Sequence, residues 1–186
     1  MDEIKFSVII PSYNRAELLI SAVNSVLTQS YQSFEVVVID DGSTDNTYQL
    51  ISTINDERLT YIKNDKNRGR CYARNKGIEA AKNSWICFLD SDDIYLPNHL
   101  QVLHNLIIEN PINYAFATEQ TIAGKLRQYH SKKFNANKST VSFFDFIYTN
   151  PLALNQICYN KDVIYQLFYN ENIPISEDWL FFRELT

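Results

Sequence analysis

The apolar positions of the first half of the chain fall into two alternating patterns. Short runs rich in β-branched and aromatic residues, FSVII (Phe6–Ile10), EVVVI (Glu35–Ile39), LTYIK (Leu59–Lys63) and WICFL (Trp85–Leu89), are nearly continuous in apolar character. That pattern predicts strands covered on both faces, as in a parallel sheet. Between them the apolar spacing lengthens to that of a helix. In RAELLISAVNSVLTQS the residues Leu18, Leu19, Ala22, Val23, Val26 and Leu27 fall on one stripe. TDNTYQLISTI and CYARNKGIEAAK supply the next two helical crossovers. LPNHLQVLHNLIIENP opens with Pro97 at a first-turn position and stops before Pro111. The alternation predicts right-handed βαβ units in an open α/β sheet.

The second half is less regular. YAFATEQ and NQICYN read as strands, KLRQYHSKKFNANKS as a polar loop, and TVSFFDFIYTNP and KDVIYQLF as helices. The final SEDWLFFRELT opens with Ser176 as a helix N-cap and carries acidic residues in its first turn. No repeat, low-complexity tract or Gly/Pro-rich linker divides the 186 residues. The expectation is one domain over residues 1–186, truncated within a last helical pattern that has no C-cap signal.

Composition narrows the classes. Hydrophobic residues at 45% and charged residues at 21% fit a soluble globular domain. A formal net charge of -5 argues against a nucleic-acid binder, which carries a basic footprint. Cys71, Cys87 and Cys158 are odd in number and widely spaced, which suits reduced thiols in a cytoplasmic protein better than a disulfide framework or a zinc site. No run approaches the roughly 18 apolar residues of a bilayer span. Docking on a membrane surface stays open. His99, His104 and His130 show no metal-ligand spacing and read as surface or packing residues.

In open α/β sheets ligands bind beyond the carboxyl ends of the strands. Here those ends read PSYNR, DDGSTDNT, NDKNRGR and DSDD, all polar. Asp90, Asp92 and Asp93 crowd together after a buried strand, and like charges this close disfavour each other's ionised forms. Either something positive sits there, or the segment is an Asx turn leading into the Pro97 helix. Mg²⁺ or Mn²⁺ carried by a diphosphate needs few protein oxygens, because phosphates and waters complete its shell. Asp90-x-Asp92 is the favoured pair, with Asp92 on the metal, Asp90 facing a ribose or a metal-bound water, and Asp93 orienting the loop or capping the next helix.

Asp41, in the turn DDGST, can accept the imide N–H of uracil; a plain strand-to-helix turn explains the same residues. Tyr13 can stack on a base and Arg15 can answer phosphate charge. Among Arg68, Arg70, Arg74 and Asn75, Arg74 is the favoured donor contact, because guanidinium groups bind diphosphates bidentately. Asp178, with Glu177 beside it, can act as a general base if a substrate hydroxyl lies within reach; a first-turn residue complementing the helix dipole is the alternative. The basic run Lys125, Arg127, Lys132, Lys133 and Lys138 suits a solvated loop, an anionic acceptor or lipid headgroups. No G-x-G-x-x-G follows the first strand and no P-loop lysine motif occurs, which counts against dinucleotide oxidoreductases and P-loop NTPases.

SVIIPSYNR, FEVVVIDDGSTDNT, NRGRCYARNKGI, FLDSDDIYLPNHL and SEDWLFFREL, in this order, resemble the family 2 glycosyltransferases of GT-A fold. The resemblance implies a Rossmann-like, mainly parallel open sheet with helices on both faces. It implies inverting transfer of a sugar from a nucleotide-diphosphate donor, often UDP-linked, in bacterial cell-surface polysaccharide or glycoconjugate synthesis. Position by position it assigns Pro11, Tyr13 and Arg15 to the nucleotide pocket, Asp41 to the base, and Arg74 to the donor. Asp90 and Asp92 match the metal-nucleotide DxD pair, served by Mn²⁺ or Mg²⁺, and Asp178 the catalytic base with Glu177 beside it. A glycan or lipid-linked acceptor is expected, with the domain in the cytoplasm or at the inner face of the membrane. The alternatives are a nucleotide-sugar-binding module without turnover and a metal-dependent nucleotidyltransferase.

Overall fold

The structure is a computed structural model and describes residues 3–112, 115–117, 120–122, 125–127, 157–162 and 169–172. Four strands expected from sequence form: β1 (Phe6–Ser12), β2 (Phe34–Asp40), β3 (Leu59–Lys63) and β4 (Trp85–Phe88). They pair in parallel, with Phe6 opposite both Phe34 and Trp85 and with Asp40 opposite Lys63. β5 (Ala115–Ala117) and β8 (Ile157–Asn160) complete a six-stranded sheet ordered β3-β2-β1-β4-β8-β5, in which β8 runs antiparallel to both its neighbours. β6 (Gln120–Ile122) and β7 (Lys125–Arg127) form a separate antiparallel pair. Lys125–Arg127 therefore departs from the expected polar loop: three residues too short and too polar to announce a strand pair with a neighbouring segment.

Helices cover both faces, which is why the central strands are apolar throughout. Phe6, Val8 and Ile10 pack with α1 (Ala16–Leu27) through Leu19, Val23 and Val26, and with α4 (His99–Glu109) through Leu100 and Leu103. Ile9, Val37, Ile39 and Phe88 face the other way, against Cys71, Ala73 and Ile78 of α3 (Arg70–Ala80). Gly77 permits that contact: a Cβ there would lie 2.3 Å from Ile9 Cγ2. At the opposite end of the sheet from the strand C-termini, buried Glu35 accepts from Ser7 Oγ (2.6 Å) and from the Lys82 amide (2.6 Å), fixing the return from α3 to β4.

Two boundaries differ from expectation. The second crossover helix is only α2 (Thr47–Ile51), because the Ser52 and Thr53 hydroxyls bond back to the Gln49 and Leu50 carbonyls instead of supporting further turns. Pro97 lies before α4, whose N-cap position is Asn98. The carbonyl of Pro97 accepts from the Ser30 amide, and buried Gln29 both donates to Leu96 O (2.6 Å) and accepts from the Leu100 amide (3.0 Å). The start of α4 is thus capped from the end of α1. The three cysteines are buried thiols outside any disulfide, with Cys87 opposite Cys158 across β4 and β8. His99 stacks on Tyr95 at 3.8 Å and His104 contacts Tyr31, so both pack. The helices expected at TVSFFDFIYTNP and SEDWLFFRELT, that expected at KDVIYQLF beyond its first two residues, and His130, Lys132, Lys133 and Lys138 lie outside the described residues. No helix among the described residues is long and apolar enough to cross a membrane.

Two predictions follow from the packing. Gly77→Ala gains helix propensity of about 1 kcal/mol but drives a methyl into buried Ile9, for a net loss of about 1–2 kcal/mol in urea unfolding. In an Ile9→Ala background that loss should vanish; a stabilised Gly77→Ala single variant would mean that Ile9 yields freely. Burial lowers the His99 pKa to about 4. The unfolded chain takes up this proton near 6.5 and the folded chain only near 4, so stability should fall as pH drops through that window, by about 3 kcal/mol. His99→Gln should flatten this part of a stability–pH profile.

Candidate functional site

The ends of β1 and β2 are tied to each other before they are tied to anything else. Asn14 adopts a left-handed backbone (φ 51°), which aims its amide at Ser43 Oγ (2.9 Å) and its Oδ1 at the Thr44 amide (2.8 Å). Asp45 reaches across to accept from the Ala16 amide (3.2 Å), capping α1 from the neighbouring loop. Burial opposes ionisation of Asp45, but the Thr47 hydroxyl and the Thr47 and Ala16 amides outweigh it and hold the carboxyl below its usual range. Gly42 turns with φ 79°, and a Cβ there would meet the backbone of Lys66 at 2.6 Å.

Asp40 and Asp41 organise this end of the sheet. Fully buried Asp40 accepts from the Ser43 amide (2.7 Å) and the Tyr61 hydroxyl, with Lys63 Nζ at 3.9 Å. That contact raises the Tyr61 pKa, chiefly through burial and then through the bonded carboxylate. Asp41 accepts from Asn64 Nδ2 (2.8 Å) and from the amides of Arg68 (3.0 Å) and Gly69 (2.7 Å). It thereby presses the loop between β3 and α3 against the end of β2.

After β4 the chain turns sharply, with the Asp93 amide donating to Asp90 O (3.0 Å). The loop that follows is fastened to α1 and the sheet: the Tyr95 amide donates to Ser25 Oγ (3.0 Å) and its hydroxyl to Phe88 O (2.6 Å). Asp93 belongs to the turn and does not cap α4, which starts only after Asn98.

These loops enclose a cleft of about 370 Å³. Pro11, Tyr13, Arg15, Asp41, Arg74, Asp90 and Asp92, all singled out from the sequence, line it together. Two ion pairs cross it. Arg15 Nη1 lies 2.8 Å from Asp92 Oδ2, with the two side chains 48% and 46% exposed. Arg74 Nη2 donates to Asp90 Oδ1 at 3.1 Å from a side chain only 5% exposed, its guanidinium 5.2 Å from the Tyr169 ring centre. The positive partner that the crowded aspartates call for is therefore supplied by the protein itself.

Other cleft residues escaped the sequence reading or were not favoured by it. Arg70, Asn67, Gly69, Ala73, Ser91 and Ser12 share the lining. Ser12 Oγ is buried without a hydrogen-bond partner among the described residues, so it is available to a ligand. Its signal was a small polar residue ending an apolar strand, too common to single out. Arg68 instead stacks on Tyr72, with Cζ 3.5 Å from the ring centre, outside the cleft. Asn75 is structural: it donates to Tyr169 O (2.9 Å) and Glu171 Oε1 (3.1 Å) and accepts from the Tyr169 amide (2.7 Å). Glu177 and Asp178 lie outside the described residues.

Among the described residues no group of three or more His, Cys, Asp or Glu is arranged to hold a metal ion. The two exposed carboxylates of the cleft, Asp90 and Asp92, and the unpartnered Ser12 hydroxyl are hard oxygen donors. That set fits a divalent cation that keeps phosphates and waters in its shell, and not one that needs a complete protein cage.

The model of glycosyl transferase family 2 matches residues 7–186. An uncharacterised glycosyltransferase of Rickettsia felis is 35% identical over 182 residues, 96% of this chain and 29% of that protein. The UDP-Glc:alpha-D-GlcNAc-diphosphoundecaprenol beta-1,3-glucosyltransferase WfgD of Escherichia coli is 35% identical over 130 residues, 67% of this chain and 51% of that protein. Among solved structures, S. aureus TarS 1-349 in complex with UDP-GlcNAc matches at 27% identity with a TM-score of 0.83, over 98% of this chain and 53% of that one. The mannosyltransferase PcManGT from Pyrobaculum calidifontis, in complex with GDP-Man and Mn²⁺, shares the fold at 18% identity and a TM-score of 0.68, over 91% of this chain and 48% of that one. The chain thus spans between 29% and about half of the length of these proteins. It belongs to glycosyl transferase family 2, and its open sheet with helices on both faces is that family's GT-A fold.

Proposed function

We propose that this domain is an inverting glycosyltransferase that moves a sugar from a UDP-linked donor to an acceptor hydroxyl. The observation that carries the reading is the cleft at the strand C-termini in which Tyr13, Arg15, Asp41, Arg74, Asp90 and Asp92 converge. Tyr13, 42% exposed at its rim, is free to stack on a base. Asp41 is oriented by the loop amides, so a uracil imide N–H would bond to a carboxylate already fixed in direction. The UDP-GlcNAc complex of TarS, similar over nearly the whole chain, supports a uridine donor.

Arg15, Arg70 and Arg74 answer diphosphate charge. Asp90 and Asp92 would hold a divalent cation, Mn²⁺ or Mg²⁺, whose chemistry is to stabilise the negative charge of the departing diphosphate. Asp178 takes the acceptor hydroxyl proton as that oxygen attacks the anomeric carbon. The bond from that carbon to the diphosphate oxygen breaks on the opposite face, and UDP leaves. In the sequence Asp178 follows the described residues 169–172, which Asn75 binds beside Arg74 on α3.

The name of the E. coli relative specifies a diphosphoundecaprenol-linked acceptor. That supports a lipid-linked glycan acceptor here, with the domain working in the cytoplasm against the inner face of the membrane. A nucleotidyltransferase would carry a Gly-rich or lysine-bearing loop after β1, and Pro11–Arg15 is neither.

Incubation with a panel of UDP- and GDP-sugars plus Mn²⁺ tests the reading, with donor binding and slow donor hydrolysis measured side by side. Binding and hydrolysis of a UDP-sugar are expected; binding without any turnover, even with lipid-linked acceptor, would make the domain a binding module. Asp178→Asn should keep donor affinity and lose transfer by about three orders of magnitude or more. Near-normal transfer by that variant removes Asp178 from the role of base. Asp92→Asn should weaken Mn²⁺-dependent UDP binding by at least roughly tenfold, whereas metal-free UDP binding should not weaken, since Arg15 loses its competing partner.

A further inference from the structure

We propose that the Arg15–Asp92 ion pair is an exchangeable latch. It occupies the metal-binding carboxylate until a diphosphate gives Arg15 another partner, so that cation and diphosphate bind as a mutually dependent pair. The inference rests on the reading of Asp92 as a cation ligand given above, and adds to it a role for Arg15 in deciding when that ligand is free.

The two ion pairs of the cleft are not equivalent. Arg74 is nearly fully buried, and stripping its partner away would strand a guanidinium in the protein interior, a costly change. Arg15 and Asp92 are each about half exposed, and ion pairs of that kind contribute little net stability because water replaces either partner. If one pair must open to admit a ligand, it is Arg15–Asp92. The backbone beneath Arg15 is fixed, since its carbonyl accepts from the Leu19 amide (2.9 Å) and the next amide is held by Asp45 (3.2 Å). Only the side chain has to move, from a constant origin.

Charge balance supplies the coupling. Three arginines and three aspartates line the cleft, so it presents no net charge to a bare dication or a bare anion. A dication arriving alone finds Asp92 neutralised and a guanidinium 2.8 Å from the oxygen it needs, a repulsive neighbour. A diphosphate arriving with the cation offers Arg15 a bidentate partner and the cation further oxygens. One move then satisfies both: the guanidinium passes from carboxylate to phosphate as the cation takes its place on Asp92. By linkage, UDP must raise Mn²⁺ affinity by the same factor that Mn²⁺ raises UDP affinity, and Arg15 sets part of that factor.

The test is Mn²⁺ binding to the full chain, followed through the EPR signal of free Mn²⁺ with and without UDP. The proteins compared are the parent and Arg15→Gln, with Asp92→Asn as the control that removes the ligand. Arg15 faces solvent and Asp45 caps the helix that follows it, so the glutamine variant keeps the fold. Without UDP, Arg15→Gln should bind Mn²⁺ roughly two- to tenfold more tightly than the parent, the range expected for releasing an exposed ion pair and a repulsive cation. In the presence of Mn²⁺ its UDP affinity should fall by about tenfold, and the enhancement of Mn²⁺ binding by UDP should shrink. Equal Mn²⁺ affinity of the two nucleotide-free proteins, with UDP still tightening Mn²⁺ in the parent, overturns the latch and leaves the donor-site reading standing. If Mn²⁺ binds neither protein even with UDP present, the assignment of Asp92 as a ligand fails and the latch fails with it.

Discussion

Two adjacent carboxylates at the end of β2 are the constraint on which the cleft depends. Asp40 and Asp41 are both buried, and their carboxylates accept from different groups. Asp40 gathers the Ser43 turn and the Tyr61 hydroxyl of the edge strand. Asp41 gathers the loop that leads into α3 and so sets where Arg70 and Arg74 begin. A buried carboxylate is tolerated only when its oxygens are bonded, so these loops are held in place by the cost of leaving the strand end unsatisfied. Asn14 and Asp45 extend the same logic to the first strand, where the loop after β1 and the loop after β2 cap each other.

This arrangement explains why the parallel half of the fold was legible in the sequence. Strands covered on both faces must be apolar along their length, and strand ends facing a cleft must be polar, so FSVIIPSYN and EVVVIDDGST announce both the strand and the end that lines the cleft. The helical stripe of α1 was equally plain, although Leu18, on the expected stripe, is 49% exposed. What could not be read is what depends on partners distant in sequence. Nothing in NQICYN says that β8 enters the sheet antiparallel between β4 and β5. Nor does KLR say that it pairs with QTI. α2 ended early because two hydroxyl side chains bond locally to the backbone, a competition that apolar periodicity does not register.

The candidate site divides along the same line. Residue types at strand ends were readable, and the seven residues chosen for the nucleotide pocket meet in one cleft. Pairings were not: the sequence demanded a positive group near DSDD without saying that it would be Arg15 for Asp92 and Arg74 for Asp90. Nor did it say what Asn75 does, one position from the favoured Arg74 on α3. The first clamps residues 169–171 and the second reaches into the cleft, a difference set by which way each side chain leaves the helix.

That adjacency on α3 has a mechanical consequence. The Asn75 side chain donates to the carbonyl of Tyr169 and accepts from its backbone amide, while the ring of the same tyrosine lies against Arg74. The chain that returns from β8 is therefore pinned to the residues that carry the buried ion pair, and Arg74 is held from two sides, by the ring behind it and by Asp90 in front. A guanidinium fixed in this way cannot follow a ligand, whereas Arg15, at the solvent-facing head of α1, can. The cleft thus joins a buried ion pair, Arg74–Asp90, and an exposed one, Arg15–Asp92, on a frame of buried hydrogen bonds. That difference in burial, and not any difference in charge, is what distinguishes the two ion pairs of the cleft.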